Sequence, residues 1–261
     1  MNGLSNILPR LFYLTQHHYS VFLRKVRSYP PLLLWGIALY LAYEPPPVNI
    51  VQGYISTAMF LFFAMVWFGY SFLSDFDAVT EHLLISQVNS RLLYAASRVL
   101  FLLAVLFAAS ILGGLYPALL ELVSWIRGSA YIPYGVRFAD LARGILLHFI
   151  TGALGIAVAF LFQPNPHKRD NAATMLVMIL FAFSALVKHQ IFVLQAPFQH
   201  TLLIFTPLYE ILSLFSDSHT FSAGDLALSA IYGSIYFSIT IAIGYRLYNK
   251  RVYGPLIARH K

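Results

Sequence analysis

Long uncharged stretches separate the few charged residues of the chain. A helix that crosses the hydrocarbon layer needs about 20 apolar residues, with a range of about 17–25. Six consecutive stretches meet or approach this length and predict membrane-spanning helices over residues 29–43, 51–73, 97–119, 142–162, 172–194 and 226–246. Prolines fix both ends of the short first stretch, since Pro30-Pro31 lie at its start and Pro45-Pro46-Pro47 follow its end. The pattern predicts an all-α, polytopic membrane protein with six transmembrane helices.

The N-terminal segment has a different pattern, which is that of an amphipathic helix. Its apolar positions recur at steps of three, four or seven residues, and the basic positions fall on the opposite side. The apolar side comprises Leu8, Phe12, Tyr19, Phe22 and Val26, and the polar side Arg10, His17 and Arg24. Such a helix lies in the headgroup layer. A basic tail that only sets the orientation of the protein is the alternative.

No linker or internal repeat divides the sequence, so we predict a single membrane domain over residues 1–261. Within it we expect an interfacial helix over 1–28, the six-helix membrane domain over 29–246 and a basic cytoplasmic tail over 247–261.

The stretch between the second and third predicted spans contains polar and apolar positions in helical order. Asp75 or Asp77 can cap a short helix, and Glu81 lies near its start, where the helix dipole favours anions. Asn89-Ser90 can end this helix and cap the next. A small apolar face is formed by Leu84, Ile85 and Val88. The pattern predicts either a helix that docks into a groove of a partner or an ordinary interfacial connector.

The stretch Ala196–Gly224 is too apolar for a solvated loop. Pro197 and Pro207 interrupt it, and Glu210 and Asp217 lie in its later part. We expect one or two short helices that enter the outer leaflet as a re-entrant hairpin. A seventh span through residues 200–216 is the alternative, and it would place the five C-terminal cations outside.

Composition and charge narrow the class of protein. The 261 residues are 59% hydrophobic and 10% charged, whereas soluble domains carry about 25% charged residues, so a soluble domain is excluded. The absence of cysteine excludes disulfides and thiolate sites. With the N-terminus in the cytoplasm, 13 of the 17 Lys and Arg residues lie on the cytoplasmic side. Because cytoplasmic loops are rich in these residues, we expect a multi-pass protein of the cytoplasmic membrane with both termini inside.

Motifs for catalysis are missing from the sequence. It contains no G-x-x-x-x-G-K-[ST] phosphate loop, no H-E-x-x-H and no G-x-S-x-G. The ten carboxylates lie at span boundaries or in loops, which disfavours an ion-coupled carrier. His148 and His189 are candidates for haem ligation or proton relay. Both lie near predicted outer boundaries, so we interpret them as interfacial or packing residues.

The arrangement resembles the permease subunit of bacterial type-2 ATP-binding-cassette exporters. Members of this family have an interfacial N-terminal helix, six spans, a coupling helix between spans two and three, and a re-entrant hairpin between spans five and six. The matching segments here are residues 5–28, the six spans, Asp75–Ser90 and Ala196–Phe221. The segment Thr80-Glu81-His82-Leu83-Leu84-Ile85-Ser86 is similar to the acidic-then-apolar stretch of small bacterial members. In layout the chain is most similar to exporters of amphipathic peptides, such as phenol-soluble modulin exporters and bacteriocin-immunity transporters.

The resemblance implies that this chain is not an enzyme by itself and holds no cofactor. A separate ATPase subunit binds ATP and Mg²⁺, and a second permease copy or paralogue completes a dimer in the lipid bilayer, with no nucleic acid involved. The coupling residues it implies are those of the short helix, namely Asp75, Asp77, Glu81, Leu84, Ile85 and Val88. The second and fifth spans line the cargo path, which places there Phe60, Phe63, Trp67, Tyr70, Phe181 and Phe183. Aromatic walls suit amphipathic peptide or lipid-like cargo, although these aromatics also fit lipid contact and helix packing.

Three other classes of function stay open on the sequence. A secondary transporter or channel works without an ATPase, and a membrane-embedded enzyme needs a polar constellation at one depth. A structural or immunity protein that sequesters a toxin is the third.

Overall fold

The computed structural model describes residues 7–24, 29–44, 49–76, 78–126, 132, 135–165, 171–192, 207–216 and 222–258. Over these ranges the chain forms nine α-helices and no strand. In chain order they are α1 (Ile7–Arg24), α2 (Pro30–Ala42), α3 (Ile50–Ser74), α4 (Ala78–Val88), α5 (Arg91–Ile126), α6 (Phe138–Leu161), α7 (Ala172–Phe192), α8 (Leu208–Ser216) and α9 (Ala223–Ala258).

Four of these helices, α3, α5, α6 and α9, are long and apolar enough to cross a membrane. Two others are apolar but shorter, namely α2 and the Ala172–Ser184 part of α7. The chain is therefore a helical membrane protein, as the sequence predicts. Crossing by α2 and α7 stays a prediction.

Local sequence explains where several helices begin. Pro30 and Pro31 occupy the first turn of α2, where the missing N–H costs no hydrogen bond. The side chain of Asn49 accepts hydrogen bonds from the backbone N–H groups of Val51 and Gln52 and so caps α3. Between α4 and α5, Asn89 adopts a φ of 51°, a left-handed conformation that asparagine tolerates. Ser90 then accepts from the backbone N–H of Leu93, which confirms the predicted role of Asn89-Ser90.

The centre of the fold is the pair α3 and α6. Helices α5 and α9 flank α6, α2 lies on α3, and α1 lies on α5. Glycines allow close approaches between helices, since a Cβ at Gly155 of α6 would collide with the carbonyl oxygen of Phe62 in α3. Likewise Gly244 of α9 lies against the carbonyl of Phe160 in α6. Small residues at crossings of this kind let helix backbones pack closely in membranes.

Two helices extend beyond their predicted spans. Helix α5 begins at Arg91 and ends at Ile126, and α9 continues to Ala258. The predicted basic tail is thus helical as far as residue 258, and Tyr248 and Val252 pack against Ile85 of α4. Charged residues mark where hydrocarbon ends, but they do not stop a helix, because Lys and Arg are good helix formers.

Helix α1 packs on the bundle through buried residues that do not belong to its predicted apolar face. The predicted apolar positions Leu8, Phe12 and Tyr19 are exposed, as expected for a helix whose apolar face meets lipid. Leu14 and His18 make the contact with the rest of the fold, and both are fully buried where α1 packs on α5. The helix is therefore held by the rest of the fold as well.

Candidate functional site at the α4 helix

The apolar face of α4 is covered by the chain itself. Leu84 and Val88 are 5% and 3% exposed. Ile85 packs against Tyr248 and Val252 of α9. The C-terminal part of α9 and the main core thus cover this face within the chain itself. The role of Leu84, Ile85 and Val88 in coupling to a partner stays a prediction.

The acidic residues predicted around this helix have different surroundings. Glu81 is 2% exposed, and its Oε2 accepts a hydrogen bond from the Tyr248 hydroxyl at 2.5 Å. Glu81 lies in the first turn of α4, as the sequence predicts, and its carboxylate faces the interior of the fold. Asp75 lies at the end of α3, where its backbone N–H donates to the carbonyl of Phe72 at 3.2 Å. Asp77 lies outside the described residues.

A buried arginine completes a polar cluster with Glu81 and Tyr248. Arg98 of α5 is 3% exposed and donates to the carbonyl oxygen of Leu73 at the end of α3, at 3.0 Å. Its guanidinium lies 5.3 Å from the ring centre of Tyr94 and 6.0 Å from that of Tyr248. We call Glu81, Arg98 and Tyr248 the polar anchor. It ties α4 to α5 and α9 and, through Leu73, to α3.

Sequence reasoning missed two members of this anchor. Arg98 falls at the start of the predicted span over residues 97–119, and Tyr248 falls in the predicted tail. A usable signal was present, because Arg98 is the only charged residue between Arg91 and Glu121. An ionisable residue in such an apolar run faces the protein interior and has a partner there.

His18 attaches α1 to the same end of the bundle. Its Nε2 lies 3.0 Å from the hydroxyl of Ser97 in α5. That hydroxyl donates to the carbonyl of Tyr94, so Nε2 carries the imidazole proton and donates to it. Burial, and then the positive charge of Arg98 and the neighbouring His17, lower the pKa of His18 to about 3. The side chain is therefore neutral at physiological pH.

The side of α4 that faces away from the fold remains exposed. Val79 and Leu83 are 69% and 59% exposed, and His82 and Ser86 are exposed beside them. These residues recur at i, i+3, i+4 and i+7 and so form one stripe. We call Val79, His82, Leu83 and Ser86 the outer face of α4.

The predicted path aromatics lie on α3 and α7, and one pair of them is in contact between the two helices. Four of them follow the helical repeat on one face, namely Phe60, Phe63, Trp67 and Tyr70. Across from them, the ring centre of Phe183 lies 5.3 Å from that of Phe63. Phe60 and Trp67 are 47% and 43% exposed. Tyr70 is buried, with its hydroxyl donating to the carbonyl of Asn171, and Phe181 packs on Phe162. The structure thus places these six residues along α3 and α7.

His148 is a packing residue, one of the two interpretations from the sequence, but it does not lie at an interface. It is fully buried near the middle of α6, rather than at the edge of a span. Its Nδ1 lies 2.8 Å from the carbonyl oxygen of Gly144 and its Nε2 lies 2.9 Å from the hydroxyl of Thr57 in α3. A carbonyl only accepts, so Nδ1 is a donor, and a neutral ring accepts from Thr57. The Thr57 hydroxyl also lies 2.8 Å from the carbonyl of Gly53.

The described part of the chain holds no candidate metal site, and no relative was found. The described residues include no group of three or more His, Cys, Asp or Glu side chains that could hold a metal ion. The side chain of His189 lies outside the described part of α7. Comparison of the chain with protein-family models, curated proteins and solved structures gave no match.

Proposed function

We propose that this chain is the membrane subunit of an ATP-driven exporter and that a separate ATPase subunit binds ATP and Mg²⁺. The observation that carries the proposal is the position of α4. It is a short helix between two apolar helices, with one side fixed to the fold and the other exposed. This is the arrangement expected of a helix that receives force from a partner protein.

The polar anchor supplies a route for that force. Pressure on the outer face of α4 reaches α9 through the hydrogen bond between Glu81 and Tyr248. It reaches α5 and α3 through Arg98 and its bond to Leu73. Separating buried polar partners leaves them unsatisfied, at a cost of about 1–3 kcal/mol for each group. Helix α4 therefore moves together with these helices and does not slide over them.

The topology of the proposal follows the helix order. Six crossings, by α2, α3, α5, α6, α7 and α9, place α1, α4 and both termini on the cytoplasmic side. Helix α8 has nine residues, about 14 Å at 1.5 Å per residue, which is too short to cross by itself. We assign it to a re-entrant hairpin in the outer leaflet. The N-terminal part of the alternative seventh span lies outside the described residues.

The cargo in this proposal is an amphipathic peptide or a lipid-like molecule. Phe60, Phe63, Trp67 and Phe183 offer it an apolar, uncharged surface. A second copy of the chain, or a paralogue, faces this surface and closes the path. Direct contact with such cargo buries aromatic area without leaving a charge unpaired.

The test compares two identical substitutions at similarly exposed leucines. Leu83→Asp places a charge on the outer face of α4, whereas Leu23→Asp places one on α1, where Leu23 is 53% exposed. We expect the native chain and Leu23→Asp to co-purify with an ATPase that hydrolyses ATP. Leu83→Asp is expected to reach the membrane at the same level but to lose the ATPase and export. Retention of the ATPase by Leu83→Asp would overturn the proposal.

A second candidate, a proton-coupled carrier, is favoured by His148 and Thr57. If His148 takes up a proton, Nε2 donates to the Thr57 hydroxyl, which then donates to Gly53. Every polar group stays satisfied in both states, so this buried pair accepts a proton without losing a hydrogen bond. Transport that continues without ATP but stops when the proton gradient is dissipated would select this candidate over the exporter.

A further inference from the structure

A groove separates α5 from α9 on the surface of the bundle. Both helices pack along α6, and the gap between them is a cavity of about 590 Å³ with Phe160 of α6 among its lining residues. Small side chains make room for an occupant, namely Ala95, Ala96 and Ala242. A narrow, apolar groove of this kind accepts a hydrocarbon chain.

The length of the groove matches one leaflet of a bilayer. Its lining on α5 extends from Leu92 to Leu103, about 17 Å at 1.5 Å per residue. On the antiparallel α9 it extends from Ser238 to Arg246, about 12 Å on the same basis. Half of the hydrocarbon core is about 15 Å. The groove therefore runs from headgroup depth to about the middle of the bilayer, as an acyl chain does.

The side chain of Arg246 lies at the headgroup end of this groove. Arg246 is the first charged residue after the uncharged run that follows Asp225, so it lies where the hydrocarbon ends. Its side chain is exposed, and it makes no hydrogen bond or ion pair with the described part of the chain. A guanidinium binds phosphate through two parallel N–H···O bonds.

A second groove on the protein differs from the α5–α9 groove in having no charged side chain in its lining. It lies between α1, α2 and α5 and is larger, at about 760 Å³, but no charged side chain lines it. Acyl chains can fill it without regard to headgroup. Only the α5–α9 groove combines an apolar wall with a cation at its mouth among the grooves described.

We propose that the α5–α9 groove is a binding site for one anionic phospholipid. An acyl chain lies along Ala96 and Ala242, and Arg246 binds the phosphate. Each cationic residue near the membrane surface raises the affinity for anionic lipid by about fivefold, which corresponds to about 1 kcal/mol. The proposal is independent of the exporter function, since it needs neither an ATPase nor a cargo.

The test uses the full chain in vesicles that contain equal amounts of phosphatidylglycerol and phosphatidylcholine. Native mass spectrometry after gentle extraction counts the lipid that stays bound. We expect retained phosphatidylglycerol to exceed phosphatidylcholine in the native chain, and Arg246→Gln to reduce this preference by about fivefold. Arg24→Gln removes the same charge from the end of α1, outside the groove, and is expected to keep the preference.

A second variant separates the acyl-chain site from the charge. Ala96→Phe fills the groove and is expected to remove the retained lipid of both kinds, while the unfolding temperature shows that the variant is folded. Ala242→Phe fills the groove from the other wall if Ala96→Phe does not fold. Three results overturn the proposal: equal retention of both lipids by the native chain, an unchanged preference in Arg246→Gln, or full retention in a folded groove-filling variant. The last result, with a change in oligomeric state, would assign the groove to a helix of another subunit.

Discussion

His18 joins α1 to α5 as a neutral side chain, and this makes the contact sensitive to acid. Above pH 6.5 the imidazole is neutral whether α1 is docked or not, so its titration does not change docking. Below 6.5, and down to the docked value of about 3, it takes up a proton only when undocked. Each pH unit in that window lowers the docking free energy by about 1.4 kcal/mol.

Acidification should therefore release α1. With Leu14→Cys as a buried reporter in this cysteine-free chain, we expect thiol labelling to rise between about pH 7 and about pH 4. The thiol reacts less readily in acid, so rates are compared with those of the exposed reporter Leu8→Cys. His18→Phe should abolish the dependence. An unchanged ratio across this range in the native background would contradict the prediction.

Thr57 is expected to stabilise the fold through its hydroxyl. Thr57→Val keeps the shape of the side chain but leaves Nε2 of the buried His148 without its partner. Such an orphaned group costs about 1–3 kcal/mol, which should lower the unfolding temperature measured in detergent. Thr57→Ser keeps the hydroxyl and serves as the control. Equal stability of the two variants would show that the hydrogen bond contributes nothing.

Packing between whole helices depends on a few glycines, and Gly155 is the clearest case. An added Cβ at this position would meet the carbonyl oxygen of Phe62, which belongs to the backbone of α3 and cannot turn aside. We expect Gly155→Ala to destabilise the protein by about 1–3 kcal/mol, as overpacking does. At Gly36 a Cβ would have no neighbour within 4 Å. Gly36→Ala should therefore be stabilising by about 0.5–1 kcal/mol through helix propensity alone.

Reversible unfolding in a denaturing detergent measures both changes side by side. The comparison is informative because the two substitutions add the same atom to a helix in the same protein. A Gly155→Ala variant as stable as Gly36→Ala would mean that α3 and α6 are not in close contact.

The sequence predicted the helices far better than their faces. Apolar runs and prolines locate α2 to within one residue at each end, because hydrocarbon thickness and the missing proline N–H act locally. The apolar face of α4 was predicted correctly as Leu84, Ile85 and Val88, but the sequence did not show that the C-terminal part of α9 covers it. In the same contact, Tyr248 binds Glu81 across 167 residues of sequence. Pairing over such a distance leaves no trace in local periodicity.

The site also shows why charges mislead when they are used only as boundaries. Arg98 and His148 fall near the ends of the predicted spans 97–119 and 142–162, but both are buried inside the fold. Each is accommodated by groups on other helices, Leu73 for Arg98 and Thr57 for His148. A single sequence shows the polar residue but not the acceptor that allows it to be buried.

For the whole molecule, orientation in the membrane is the property on which the exporter proposal rests. The cation distribution predicts that α4 and the C-terminal part of α9 are cytoplasmic, because 13 of 17 Lys and Arg residues then lie inside. The polar anchor is consistent with this prediction, because it joins α4 and α9 directly and so requires them to share one side. Single cysteines at exposed positions can report the side without disturbing a cap or a buried contact.

We expect an impermeant thiol reagent added to intact cells to label Glu44→Cys and Phe138→Cys. Both replace exposed residues on the predicted outer side, Glu44 just after the end of α2 and Phe138 at the start of α6. Gln87→Cys on α4 and Lys250→Cys on α9 should react only after the cells are opened. Labelling of both Gln87→Cys and Lys250→Cys from outside would show that the protein has the opposite orientation, in which α4 cannot reach a cytoplasmic ATPase. Labelling of only one of them would separate α4 from α9 and contradict the bond between Glu81 and Tyr248. The four reporters therefore test the orientation and the polar anchor in one experiment.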